Sequence, residues 1–382
     1  MKIACRFGVC LALLVAGVPA IAQPPVQQLD PTVIVAPFPR NPLRPGTLLS
    51  PSRTERGRAW SGSSVTVISG DEIRRSGRML LHEVLRQVPG LDVVRSGAPG
   101  QQTSVFLRGA ASRHTKVLLD GIPLNDPGSP SRAFDFATFS ADNIERIEIL
   151  RGPQGTLYGS DAIGGVINII TRRGEGPPRF RLSTMGGRYS TFEQSANLSG
   201  STESVYYSLG GSFYETNGFT TAAERLGNSE SDGFRNGTLS GRAGWLISDN
   251  ADVDLVFRYN KSDAQLDAFT FPIGPTDDLL RNLRNESFAM RTQVRLLMLE
   301  GDLEQKFGFS YVNYHRDDTN PGLFYTPFFD ADTLTFDWQA NLTLADRTAV
   351  RDTLTAGFVY VDEDASSAFA SKRSLNAAGV YL

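Results

Sequence analysis

The groups that carry most enzyme chemistry are scarce in this sequence. Its 382 residues include two cysteines and three histidines. Cys5 and Cys10 both fall in a stretch that reads as an export signal, so the mature chain has no thiol. Neither a disulfide framework nor thiol catalysis is therefore expected in these 382 residues. His82, His114 and His315 are far apart and lack metal-ligand spacing. The net charge of −3 gives no electrostatic footprint for nucleic acid. Beyond the first residues no apolar run is long enough to cross a membrane as a helix. That absence leaves strands open, because a β-barrel turns only every second residue toward lipid. Gly159 to Gly165 lacks the closing Gly-Lys-Ser/Thr of a phosphate loop. Ser160-Asp161 has neither a nearby histidine nor a nucleophile elbow. No catalytic constellation emerges, and the expectation is a protein that is not an enzyme and requires no cofactor.

Lys2 and Arg6, the apolar core Leu11 to Val18 and the small-x-small site Ala20-Ile21-Ala22 predict a signal peptide over 1–22. Residues 23–60 are dense in proline and read as a flexible arm. Within the arm lies Thr32-Val33-Ile34-Val35-Ala36, five residues of high β-propensity between Pro31 and Pro37. Two readings stand: an edge strand of the following domain, or a docking strand that adds to another protein's sheet edge.

Residues 61–173 predict a mixed α/β domain. Val65, Val67 and Ile68 suggest a strand. Ser69 and Glu72 form a capping-box pattern ahead of a short helix. Leu81, Val84, Leu85 and Val88 share a helical face near Met79 to Val88, which Pro89-Gly90 closes. Val117–Leu119 and Ile122–Leu124 flank Asp120-Gly121, a type I′ hairpin signal. From Ile144 to Arg172, two apolar segments enclose Gly152, Gly155, Gly159, Gly164 and Gly165, spaced for tight turns.

After Arg173 the pattern becomes period two. Val205, Tyr207, Leu209 and Phe213 alternate with Tyr206, Ser208 and Ser212. Val253, Leu255, Phe257 and Tyr259 alternate with Asp252, Asp254, Arg258 and Asn260. Segments of about ten residues, with one apolar face, are the pattern of a transmembrane barrel. A soluble sandwich also alternates, though its strands are usually shorter. Long polar joins (217–236 and 261–285) alternate with short ones such as Ser248-Asp249-Asn250. The long joins are acidic, with Glu224, Glu230 and Asp232 in the first and Asp263, Asp267, Asp277 and Asp278 in the second. Glu230 and Asp232, at alternate positions, are candidate oxygen ligands for Ca²⁺; a merely solvated acidic loop is the other reading.

These segments together resemble a TonB-dependent outer-membrane receptor. Asp30–Ala36 resembles the TonB box. LRQVPGLDVV (Leu85–Val94), FLRG (Phe106–Gly109), VLLDGIPLND (Val117–Asp126) and ILRGPQGTLYGSDAIGGVINIITR (Ile149–Arg172) resemble plug motifs. Within the family, the SESDGF loop (Ser229–Phe234) and GVYL (Gly379–Leu382) are most similar to the cobalamin receptor. The resemblance implies a mixed α/β plug domain (61–173) followed by an antiparallel transmembrane β-barrel (178–382) in the outer membrane of a Gram-negative bacterium. It implies TonB and its inner-membrane energising complex as partners, binding Thr32, Val33, Ile34, Val35 and Ala36. Outer-membrane lipid and a scarce small molecule are the other partners. Apical plug loops at Ser96–Thr103 and Asn125–Arg132 would face the substrate, with Ser96, Gln101, Asn125 and Ser129 as contacts. Glu230 and Asp232 match calcium-loop positions. Arg108 and Arg151, in the plug's Arg-Gly motifs, would pair with carboxylates on the barrel's inner wall.

Only about ten strands fit before Leu382, against about twenty-two in a barrel that encloses a plug, so the sequence is expected to lack the barrel's second half. Cobalamin is the expected substrate, a ferric siderophore is the alternative on the same scaffold, and a passive porin or other non-transporting surface protein is the third reading.

Overall fold

The computed structural model describes residues 47–48, 53, 56–57, 64–222, 224–226, 228, 230–270, 274–278, 280–319, 327–347, 350–368 and 370–381. The signal segment and Thr32–Ala36 lie outside these residues. The end of the expected flexible arm does not. There β1 (Thr47–Leu48) pairs with β2 (Arg56–Gly57), and the Leu48 side chain is buried. An apolar side chain and a ladder offset the ordering entropy that proline content alone left unopposed.

The inner domain follows. β3 (Ser64–Ser69) leads into α1 (Gly70–Ser76). The capping box forms as expected: Glu72 N donates to Ser69 Oγ at 3.3 Å and Ser69 N to Glu72 Oε2 at 2.7 Å. α2 is shorter than the expected Met79 to Val88, running only over Leu81–Leu85. Leu80 is extended and bridges Ser140, and Leu81 N donates to Phe139 O, so the chain there serves tertiary pairing before it turns helical. β4 (Leu91–Arg95) and β5 (Thr103–Leu107) form a hairpin. β6 (Thr115–Leu119) and β7 (Ile122–Pro123) form another, with φ of +49° at Asp120 and +89° at Gly121, both positive as a type I′ turn requires. β8 (Ile144–Arg151), the one-turn α3 (Gly155–Tyr158) and β9 (Gly165–Thr171) complete the domain.

The order β3-β8-β9-β6-β7 makes β9 central, and every residue of GVINIIT is buried. A strand covered on both faces reads as a continuous apolar run, which accounts for the Ile144–Arg172 pattern. Gly165 is required there: a Cβ would strike the Leu150 carbonyl.

Ten strands then form one antiparallel sheet, in which consecutive members pair. They are β10 (Arg179–Gly187), β11 (Thr191–Ser201), β12 (Val205–Thr216), β13 (Phe234–Ser248), β14 (Ala251–Gln265), β17 (Asn282–Met298), β18 (Leu303–Thr319), β19 (Phe328–Arg347), β20 (Val350–Ser367) and β21 (Ala370–Tyr381). The small hairpin of β15 (Ala268–Thr270) and β16 (Gly274–Thr276) sits in the join between β14 and β17. One face presents Leu209, Leu255, Phe309, Phe336 and Tyr360 outward; the other buries Ser208, Asp252, Asp254, Arg258 and Arg291, with Ser208 and Arg258 bonded to the inner domain.

The strands reach 20 residues in β19, longer than the expected ten. Their outward rows explain the excess. On β14 the row is apolar from Ala251 to Tyr259, then becomes Lys261 and Asp263. The register places Lys261 beside Glu286, Glu286 beside His315 and His315 beside Asp330. At ~3.4 Å per residue the apolar part runs about 27 Å along the strand, which at the usual tilt of about 40° covers roughly 20 Å of height, most of the ~25 Å lipid-facing band of such barrels. The charged continuation stands beyond that band, where hydrogen-bonded strand needs no apolar face.

Candidate functional site: the seam and the acidic loops

The inner domain meets the sheet through buried polar groups. Arg242 of β13 is the centre. Its Nε and Nη2 grip Asp254 at 3.1 and 2.6 Å, while Nη1 donates to Asp120 Oδ1 at 3.1 Å and to Thr171 O at 3.2 Å. Asp120 also accepts from Thr171 Oγ1 at 2.7 Å. Arg258 donates to Ser140 O at 2.8 Å and stacks 3.9 Å from the Phe139 ring centroid. Arg316 reaches Asp126, Tyr314 Oη donates to Leu124 O, and Arg132 pairs with Glu363 at 2.6 Å. Amide and hydroxyl contacts fill the rest: Ser208 to Asn143, Asn197 to Asp142, and Asn236 to Thr138 O. A cavity of about 60 Å³ lies between Phe134, Phe139, Arg258 and Tyr314, room for about two waters.

Arg108 and Arg151 are expected to pair with carboxylates of the wall; among the described residues they make other contacts. Arg108 is exposed just after β5, with φ of +52° followed by Gly109 at +76°. Arg151 Nη2 donates to Pro89 O at 3.0 Å. Among the described ion pairs neither meets a carboxylate of the sheet. The charge pattern is mostly the reverse: arginines come from the sheet and carboxylates from the inner domain.

The apical loops are also sorted. Ser96 is exposed and Gln101 half-buried, at the tip after β4. Asn125 is committed internally: its Oδ1 accepts from Val117 N, and its Nδ2 donates to Thr115 O and Arg132 O. These bonds fix the shape of the loop. Ser129 is largely buried in a turn, its Oγ 3.3 Å from that of Ser131.

The acidic joins converge. Carboxylate oxygens of Glu230, Asp232 and Asp267 lie within 4.8 Å of one another. Asp232 Oδ2 accepts from Thr221 N at 3.0 Å, and Asp267 Oδ2 from Ala222 N at 2.8 Å and Thr221 Oγ1 at 2.5 Å. Asp277 joins them through Glu230 N at 3.1 Å. Glu230 Oε2, Asp232 Oδ1 and Asp267 Oδ1 are buried without a hydrogen-bond donor. Burial, then the carboxylates of Asp277, Asp232, Asp267 and Asp278, push Glu230 up to about 7. Burial and Asp267 push Asp232 up to about 6. Crowded, undonated oxygens suit a hard cation. Asp267 is the member that spacing did not single out, because it arrives from a different loop.

The same loop packs on the apex. A Cβ at Gly97 would come within 3.1 Å of Thr221, Gly218 approaches Pro99, and Gly100 leaves space filled by the Phe234 ring.

Residues 60–166 match the TonB-dependent Receptor Plug Domain. The chain has the fold of a TonB-dependent receptor. Its structure is similar to the ferric enterobactin receptor of Pseudomonas aeruginosa solved with enterobactin (TM-score 0.61, 19% identity, 79% of this chain and 49% of that one). It is similar to the siderophore receptor PirA from Acinetobacter baumannii (TM-score 0.59, 24% identity, 79% and 48%). The ferripyoverdine receptor of P. aeruginosa bound to ferripyoverdine gives a TM-score of 0.64 at 14% identity, covering 84% and 45%. The chain thus spans about half the length of these receptors. The inner domain is the plug and the ten-stranded sheet is part of the wall around it.

Proposed function

We propose that this chain belongs to an energised outer-membrane receptor that imports a ferric siderophore, with TonB capturing Thr32–Ala36 by strand addition. The observation that carries the reading is a plug held inside a lipid-facing sheet by the polar seam around Arg242, Arg258 and Arg316. A passive pore has no use for an inserted, hydrogen-bonded domain. The solved receptors of similar fold support an iron chelate over cobalamin, which the sequence alone favoured. Pulling on the arm would remodel the plug, and polar contacts suit such a seam because water can replace them as they break.

One observation favours the cobalamin reading: the carboxylate cluster of Glu230, Asp232, Asp267 and Asp277 includes the two positions that resemble calcium ligands. Calcium there would fix the extracellular loops against the plug apex. The test is competition on the natural full-length protein in detergent, with and without Ca²⁺. Tight binding of ferric catecholate or hydroxamate chelates supports the main reading. Calcium-dependent binding of cobalamin with no affinity for the iron chelates refutes it.

A further inference from the structure

The segment between the docking strand and the plug is clasped. β1 and β2 pair antiparallel, with Thr47 opposite Gly57 and Leu48 opposite Arg56. Arg53, which lies between the two strands in sequence, touches both plug and wall. Its guanidinium lies 4.8 Å from the ring centroid of Tyr158 in the plug and 4.9 Å from that of Tyr381 on the wall. Nη1 donates to Tyr381 Oη at 3.2 Å, and the Arg53 carbonyl accepts from Gln339 Nε2 at 3.1 Å. Tyr381 Oη in turn donates to Gln339 Oε1 at 3.2 Å.

Both rings are held in place. Tyr381 faces Gly357 across the β20–β21 ladder, and any Cβ at 357 would collide with its ring. Tyr158 packs with Leu118, Leu150 and Val166, that is, against β6, β8 and β9. A planar cation between two fixed aromatic faces is a specific arrangement that lysine does not reproduce.

We infer that Arg53 is a positioning residue for the energised step, a clasp that a pull from upstream must open before tension reaches the plug sheet. The inference rests on the reading that the arm is pulled. While shut, the clasp shortens the arm and ties it to both plug and wall. Once open, it releases the ten residue steps from Thr47 to Gly57. At ~3.6 Å per residue, less the ~5 Å between paired strands, the gain is about 30 Å of reach.

The experiment is single-molecule pulling on the natural full-length protein in a bilayer, through a handle on Pro39→Cys. Any other cysteine of the full-length protein is replaced by serine, so that the handle has a single site. A first extension of about 30 Å ahead of any plug unfolding is expected. Arg53→Ala and Tyr381→Leu should each remove that event or lower its force at least twofold, while Tyr381→Phe, which keeps the ring, should retain most of it. A wild-type trace without the event, or an event unchanged in both Arg53→Ala and Tyr381→Leu, overturns the inference. No partner protein is needed, so failure here is distinct from failure of TonB capture, which uptake measurements report separately.

Discussion

Replacing Arg242 by Met tests whether the seam holds the plug. Arg242 is the sole described cation on Asp120 and closes an ion pair with Asp254 on the wall. All three side chains are largely buried. Burial raises the Asp120 carboxyl above its ordinary value, and the Arg242 charge is the main influence that lowers it again. Removing one member of a buried ion pair costs about 3–5 kcal/mol, because the partners keep their desolvation penalty without compensation. Here the variant also forfeits the donation to Thr171 O. Hydrogen exchange in the full-length protein is the direct assay, because Thr171 N donates to Asp120 and so reports the local opening. Exchange at Val166–Thr171 should accelerate by roughly two to four orders of magnitude. Pairing Arg242→Met with Asp120→Asn and Asp254→Asn should recover a large part of the loss, since no uncompensated charge then remains. Arg108→Ala, at an exposed site outside the described ion pairs, should stay within about 0.5 kcal/mol. An Arg242→Met protein whose exchange changes less than fivefold would refute the reasoning.

The acidic cluster makes a pH prediction. In the metal-free fold Glu230 and Asp232 hold protons that the unfolded chain releases near pH 4. Their contribution is therefore fully present below about pH 4 and is lost as pH rises through about 6 and 7. After screening, the effect is about 1 kcal/mol, read as a lower melting temperature at pH 7.5 than at pH 5 in chelator. Calcium must displace those protons, so calorimetry should show tighter binding at pH 7.5 than at pH 5, and Asp267→Asn should weaken it at least tenfold. Gly100→Ala should cost about 1–3 kcal/mol and displace the plug apex, because the Phe234 ring fills the space and φ is +84°. Protease nicking at the Ser96–Thr103 loop would register that displacement.

What could be read in the sequence was what neighbours in the chain decide. The Ser69–Glu72 capping box, the Asp120-Gly121 turn and the period-two strands depend on residues a few positions apart, and each forms as expected. The site was less legible because its contacts are distant. Asn125 looked available until Thr115 O, Val117 N and Arg132 O were seen to use its amide. Arg151 carries the charge that suggests an ion pair, but its described bond is to Pro89 O, a contact that no local pattern announces. Asp267 joins Glu230 and Asp232 only because two long loops fold over the same apex. The clasp at Arg53 had no sequence signal, since a proline-rich stretch gives no sign of the two tyrosines that enclose its arginine.

The most direct measurement is uptake of a radiolabelled iron chelate by cells expressing the full-length protein with Val33→Pro. Proline removes a main-chain donor from the docking strand and leaves the plug and extracellular loops untouched. Energised transport through strand capture requires that uptake fall to the level of cells lacking TonB while surface binding of the chelate persists. Uptake that continues at the wild-type rate would contradict it.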